Sequence, residues 1–259
     1  MHRAGRDALS FWLVHQPKLG AGRGKSPKEG GLATANEHAA KWTDASFTRA
    51  WLQEDDLGDV LARPRSLAAA VVALDVPAPR TVVDLGSGPG TFLKLFLDRF
   101  PAAQGVWSDV SEPMREEAAT NLARFGDRVT YRLGNLTDLE GTGIPRGVDV
   151  ILTSRALHHL DLTRLTAFYR DAAARLAPGG WLVNLDHVGV GEDWQRRLRE
   201  VRPLLTGRRR ERSTRHRHDG PLPRVPDHLR GYAEAGLDDV EVVWRELHTC
   251  LFLGRKRAG

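Results

Sequence analysis

The stretch Val82-Val83-Asp84-Leu85-Gly86-Ser87-Gly88-Pro89-Gly90 decides the reading of this 259-residue chain. It issues from Arg80–Leu85 (RTVVDL), whose β-branched centre reads as a short strand. It runs into Thr91–Phe100, where Phe92, Leu95 and Phe96 share one helical face before Pro101 stops the helix. A glycine-rich turn from strand to helix gathers backbone N–H groups and the positive end of a helix dipole, an arrangement suited to an anion. Gly86, Gly88 and Gly90 present no Cβ to an approaching ligand. The dinucleotide fingerprint G-x-G-x-x-G would place its third glycine at position 91, which is Thr91. The spacing is instead G-x-G-x-G, with Asp84 just ahead of it. A nicotinamide-dependent oxidoreductase is the poorer fit.

Outward from this turn the chain alternates strands and helices. Gln104–Asp109 reads as a second strand, followed by a helix that Ser111 can cap and that runs to Phe125. Arg128–Leu133 and Val148–Thr153 read as the third and fourth strands. Asp161–Ala177 carries Leu162, Leu165, Phe168, Tyr169, Ala172 and Leu176 at helical spacing and closes at Pro178-Gly179-Gly180. Trp181–His187 is the fifth strand, Glu192–Leu205 an amphipathic helix and Asp227–Ala235 the last helix. Val240–Arg245 and Thr249–Gly254 are close enough to pair antiparallel. The pattern predicts an α/β fold: a doubly wound, seven-stranded sheet, mostly parallel, with an antiparallel C-terminal hairpin. Ahead of it, Glu37–Arg63 suggests two short helices and Ser66–Leu74 a third, together a helical cap over 36–78. The main domain then occupies 79–259, with an Arg-rich insert at about 190–224.

The segment VVDLGSGPG closely resembles motif I of the class I S-adenosylmethionine-dependent methyltransferases, and the resemblance extends over roughly residues 64–255. It implies a Rossmann-like sheet, S-adenosyl-L-methionine as cofactor and methyl transfer to an acceptor of small-molecule type. Within it, Asp84, Gly86, Ser87, Gly88 and Gly90 would shape the methionine site. Asp109, nineteen residues after Gly90, ends the second strand in WSDVSEPM, and its carboxylate can accept from both ribose hydroxyls. Val110 and Met114 would flank the adenine. After the third strand the family often has Gly-Asp where this chain has Gly134-Asn135-Leu136. The Asn135 amide oxygen can accept the same adenine bond without charge, or Asn135 can serve as a turn residue. The fourth strand delivers Thr153 and Ser154 to the carboxyl edge of the sheet, where open α/β folds bind ligands.

Methyl transfer needs a base only when the acceptor begins protonated. His158 and His159, in SRALHHLD, are the candidates, with a packing pair as the alternative reading. Asp186 and His187 could reach the same cleft. No spacing points to a metal site. The stretch TSRAL lacks the Asn/Asp-Pro-Pro-aromatic signature of enzymes acting on exocyclic amines, and there is no Pro-Cys pair for attack on cytosine.

The single cysteine, Cys250, rules out an internal disulfide and fits a reducing, cytoplasmic setting. No apolar run reaches the length of a membrane span. Residues 1–35 are Gly-, Lys- and Arg-rich and read as a disordered basic arm rather than a secretory signal. The net charge of +5 is uneven. Residues 195–218 hold ten Arg against Glu200 and Glu211, and the rest of the chain is net acidic. That segment reads as a solvated lid, as guanidinium forks for an anionic acceptor, or as an RNA-binding strip without interleaved aromatics. An RNA-modifying methyltransferase and a non-catalytic cofactor- or RNA-binding protein are the competing functions, and the sequence leaves the oligomeric state open. Arg65 could reach the cofactor's carboxylate, although a solvated position on the helix surface is the simpler expectation.

Overall fold

The computed structural model describes residues 41–54, 58–206 and 221–258. The expected arm over 1–35 and the Arg-rich run beyond Thr206 up to residue 220 lie outside these described residues. Strand β1 (Thr81–Leu85) pairs in parallel with β2 (Gln104–Asp109) on one side and β4 (Val148–Ser154) on the other. Outside them lie β3 (Val129–Leu133) and β5 (Leu176–His187), also parallel. The chain closes with β6 (Leu237–Glu246) and β7 (Thr249–Lys256), and the sheet order is β3-β2-β1-β4-β5-β7-β6. β7 is antiparallel to both its neighbours. Its run Cys250-Leu251-Phe252-Leu253 is buried throughout, so it takes the inner position, while the half-exposed β6 forms the edge.

Seven helices flank this sheet among the described residues: α1 (Ala45–Glu54), α2 (Gly58–Asp75), α3 (Thr91–Arg99), α4 (Glu112–Asn121), α5 (Leu162–Arg175), α6 (Glu192–Thr206) and α7 (Val225–Glu234). Alternate residues of β1 feed two cores. Val82 packs with Phe92, Phe96 and Trp107 under α2 to α4, and Val83 and Leu85 pack with Phe168, Tyr169 and Tyr232 under α5 and α7. The Rossmann-like arrangement with its closing antiparallel hairpin is therefore the fold. No described helix is long and apolar enough to cross a membrane.

Three local readings change. The break expected at Pro64 is absent: α2 runs unbroken across it from Gly58 to Asp75. Burial of Leu61, Ala68, Ala69 and Val72 holds that helix together despite the hydrogen bond that the proline ring removes. Helix α5 stops at Arg175, and Leu176–Gly180 belongs to β5, where Val148 pairs with Leu176 and Val150 with Trp181. The extra residues form a bulge, and at Gly180 a Cβ would lie 2.9 Å from the Val148 carbonyl oxygen. Helix α4 ends at Asn121, with a separate turn of 3-10 helix over Ala123–Arg128 before β3. Ser111 is its N-cap, as expected, accepting from the Met114 N–H.

Candidate active site

The sheet order reverses between β1 and β4, and a cleft of about 1070 Å³ (its open mouth included) lies beyond their carboxyl ends. The turn after β1 forms its floor. Asp84 does not face the cleft. It is fully buried behind the turn, where one carboxylate oxygen accepts from Ser87 Oγ at 2.7 Å and from the Leu93 N–H at 3.1 Å. Burial lifts its pKa to about 6, against the pull of those two donors and of Arg65. Asp84 thus ties the turn to the first turn of α3.

All three glycines of the turn are left-handed, with φ of 66°, 53° and 79° at Gly86, Gly88 and Gly90. Their crowding differs from the expectation that a ligand alone demands them. A Cβ at Gly86 would lie 2.6 Å from Ala156 Cβ, and one at Gly90 would lie 2.8 Å from Leu122 Cδ1. Gly90 therefore lets α4 pack against the start of α3, and it does not line the cleft. At Gly88 the space stays open, with Met114 Sδ the nearest atom at 3.9 Å. The Trp107 indole, which no motif singles out, donates from Nε1 to the Gly88 carbonyl at 2.8 Å.

Asp109 lies across the floor from this turn and lines the cleft. Its Oδ2 accepts from the Gly88 N–H at 2.9 Å and its Oδ1 from the Ser111 N–H at 3.0 Å. Burial raises its pKa, and backbone donors including Gly88 and Ser111 oppose the rise. Val110, Met114, Leu136 and Ser154 also line the cleft, as does Asn135. The Asn135 oxygen, however, accepts from both the N–H and the hydroxyl of Thr137 at 3.0 Å. It anchors a turn, so the side chain's remaining hydrogen-bonding capacity is its NH₂ group.

The histidine pair divides. His159 lines the cleft, with its ring edge-on to Trp42 at 6.2 Å. His158 is buried behind it, where Asp186 accepts from the His158 backbone N–H at 2.9 Å and meets its Nδ1 at 2.5 Å. Asp186 and His187 themselves do not line the cleft, and His187 Nδ1 lies 3.1 Å from Thr249 Oγ1. Cys250 is buried in β7, where burial pushes its thiol up to about 11 and keeps it protonated.

Two further cations reach the cleft. Arg65, expected on a solvated helix surface, is only 5% exposed and lies over the Phe92 ring at 5.9 Å. Arg155 follows β4 and stacks on Trp51 at 4.9 Å. Trp42 and Trp51, from the segment ahead of β1, also line the cleft. The Trp42 carbonyl accepts from Ser111 Oγ at 2.5 Å, joining that segment to the start of α4.

These donors and acceptors fit an adenosyl amino acid. The Gly90 N-cap leaves the first turn of α3 without a side-chain cap. The Ser154 hydroxyl is buried without a hydrogen-bond partner among the described residues. The fold is similar to that of Rossmann-like methyltransferases, and the glycine turn and Asp109 stand where an adenosyl ligand would fit. Residues 82–180 match the family model described as a methyltransferase domain. Over 115 residues the chain is 32% identical to 3-amino-4-hydroxybenzoate 4-O-methyltransferase of Streptomyces cremeus, covering 44% of this chain and 30% of that protein. Over 164 residues it is 30% identical to trans-aconitate 2-methyltransferase of Methylobacterium radiotolerans, covering 62% and 55%. The chain thus spans about half or less of the length of these relatives. Among solved structures it resembles 1,6-didemethyltoxoflavin-N1-methyltransferase of Burkholderia thailandensis, with bound 1,6-didemethyltoxoflavin and S-adenosylhomocysteine. The TM-score is 0.61 at 20% identity, over 90% of this chain and 94% of that one, a likeness of fold.

Proposed function

We propose that this protein is an S-adenosylmethionine-dependent methyltransferase acting on a small, anionic acceptor. The observation that supports the reading is the direct bond from the Gly88 N–H to Asp109 Oδ2, which joins the glycine turn to a carboxylate that could accept from a ribose. Asp109 would accept from the ribose hydroxyls, Val110, Met114 and Leu136 would enclose the adenine, and Asn135 would donate to it through its NH₂ group. Arg65 and the N-terminus of α3 would hold the amino-acid carboxylate. Bound there, the cofactor would supply an electrophilic methyl group on a sulfonium.

The chain's own task is then to exclude water, hold the acceptor and, where needed, move a proton. Trp42 and Trp51 line the cleft, where their indoles would help to exclude water. The His159 imidazole is placed to take a proton from a hydroxyl or ammonium of the acceptor, and the Asp186–His158 pair fixes the backbone that carries it. The relatives named above act on aconitate and on a hydroxybenzoate by name, and an acid of that kind is the acceptor this reading favours. The lone thiol of Cys250 favours a reducing, cytoplasmic location.

The test is a screen of carboxylate-bearing phenols and aliphatic acids for release of S-adenosylhomocysteine, run beside dialysis against NADH. The expected result is turnover with at least one acid and no binding of NADH. NADH binding without S-adenosylmethionine binding would overturn the reading.

A further inference from the structure

Ser111 is fully buried where the floor of the cleft, α4 and the segment ahead of β1 meet. Its N–H holds Asp109 Oδ1 at 3.0 Å, and its Oγ caps α4 by accepting from the Met114 N–H at 3.3 Å. The same hydroxyl gives its one proton to the Trp42 carbonyl at 2.5 Å, 69 residues away in the sequence. Thr48 Oγ1, also fully buried and on α1, donates to that carbonyl at 3.0 Å. One backbone oxygen thus receives two side-chain hydroxyls, one from α1 and one from the floor of the cleft. The Trp42 ring is edge-on to Phe47 at 5.3 Å, to Trp51 at 5.4 Å and to His159 at 6.2 Å. An N-cap needs only an acceptor, and aspartate would cap α4 as well as serine does. The outgoing bond to Trp42 needs a proton, which serine and threonine carry and alanine lacks.

We infer that Ser111 is a positioning residue whose hydroxyl ties the Trp42 backbone to Asp109, so that a ligand held by Asp109 also fixes the aromatic wall beside His159. Ligand hydroxyls on Asp109 restrict the short loop from Asp109 to Ser111, and the bond from Ser111 Oγ passes that restriction to residue 42. Breaking a buried hydroxyl–carbonyl bond is costly, so Trp42 does not move independently of the floor. The acceptor then meets an ordered wall only when the cofactor site is filled. By linkage, a molecule that binds against Trp42 strengthens binding at Asp109 by the same factor. The tether rests on the methyltransferase reading for its ligand, and its existence is testable without one.

The test is hydrogen–deuterium exchange on the full chain, with and without saturating S-adenosylhomocysteine, read over residues 42–54, over the floor at 82–93 and over α7 as a distant control. In the ligand-free chain, Ser111→Ala should speed exchange over 42–54 by about fivefold and leave α7 unchanged. In the wild type the ligand should slow exchange over both 42–54 and 82–93. In Ser111→Ala it should still protect 82–93, because the Ser111 N–H to Asp109 survives, but should lose most of its effect on 42–54. Ser111→Thr keeps the hydroxyl and should restore the wild-type pattern. Thr48→Val removes the second donor without touching the cap of α4, and should loosen 42–54 with S-adenosylhomocysteine affinity unchanged in calorimetry. Full ligand protection of 42–54 in Ser111→Ala, no such protection in the wild type, a threonine variant that behaves as the alanine one, or a Thr48→Val variant with wild-type exchange over 42–54 would overturn the inference. Failure of the wild type to bind S-adenosylhomocysteine would remove the methyltransferase reading. The tether would then be upheld by faster ligand-free exchange over 42–54 in Ser111→Ala, and overturned by unchanged exchange there.

Discussion

The Gly88 N–H donates to Asp109 Oδ2 at 2.9 Å, so the turn after β1 and the end of β2 form one hydrogen-bonded floor. The second carboxylate oxygen is held by Ser111, the N-cap of α4. Asp109 is thereby fixed from both sides before any ligand arrives, and each oxygen keeps a lone pair for a ribose hydroxyl. This is pre-organisation by backbone donors, and it depends on the glycine turn keeping its shape.

Substitutions in that turn should separate folding from binding. Gly90→Ala meets both a φ of 79° and Leu122 at 2.8 Å. It should destabilise the fold by about 1–3 kcal/mol in urea titration. Gly88→Ala meets only the unfavourable φ and should be milder, at about 1 kcal/mol. Gly88 lines the cleft, however, and its substitution should weaken S-adenosylhomocysteine binding more than Gly90→Ala does. Equal effects of the two on both readouts would contradict the division of roles.

Trp107→Phe keeps the aromatic packing in the core but removes the donor to the Gly88 carbonyl. Stability should fall by about 1 kcal/mol. Cofactor affinity should fall several-fold as the turn loosens, read by isothermal titration calorimetry. Unchanged affinity would mean that the indole supports only the core.

Asp84 gives a pH signature. It holds its proton more tightly in the folded chain, near pH 6, than its ordinary value of 3.8. Ionised Asp84 therefore destabilises the fold above pH 6, and that penalty is relieved as the pH falls from 6 toward 3.8. Asp84→Asn does not titrate. The stability of the wild type relative to this variant should rise by up to about 2 kcal/mol between pH 7.5 and pH 4.5. A pH-independent difference would show that the carboxyl is not perturbed by burial.

The histidine pair predicts opposite phenotypes. Asp186→Ala removes the buried acceptor of the His158 and His187 N–H groups and should cost about 3 kcal/mol of stability. His159→Ala should leave the melting temperature nearly unchanged and lower kcat by about ten- to a hundredfold for a hydroxyl acceptor. Loss of activity in neither variant would exclude this loop from the chemistry.

Much of the fold was legible because its signals are local. The β-branched run of β1, the glycine spacing after it, the Ser111 cap and the spacing of Leu165, Phe168, Tyr169 and Ala172 on α5 each act within a few residues. What escaped depends on contacts distant in sequence. Arg65 is drawn into the cleft by Asp84 and Phe92, and Trp107 meets Gly88 only once β1 and β2 are paired. The bulge that extends β5 back to Leu176 is set by its partner β4, and Pro64 is tolerated because Leu61, Ala68, Ala69 and Val72 bury one face of α2. In the site, the glycine turn and Asp109 could be named from spacing. The orientation of Asn135 and the division between His158 and His159 could not, since hydrogen bonds to Thr137 and Asp186 decide them.

Asp109 should grip the ribose of a sulfonium nucleoside whose amino-acid end lies in the Gly86–Gly88 turn. Equilibrium dialysis of S-adenosylhomocysteine against the wild type and Asp109→Ala, with circular dichroism confirming the fold of both, tests it most directly. Binding should be saturable in the wild type and at least tenfold weaker in the variant. Equal affinity in two folded proteins, or no binding to the wild type, would contradict it.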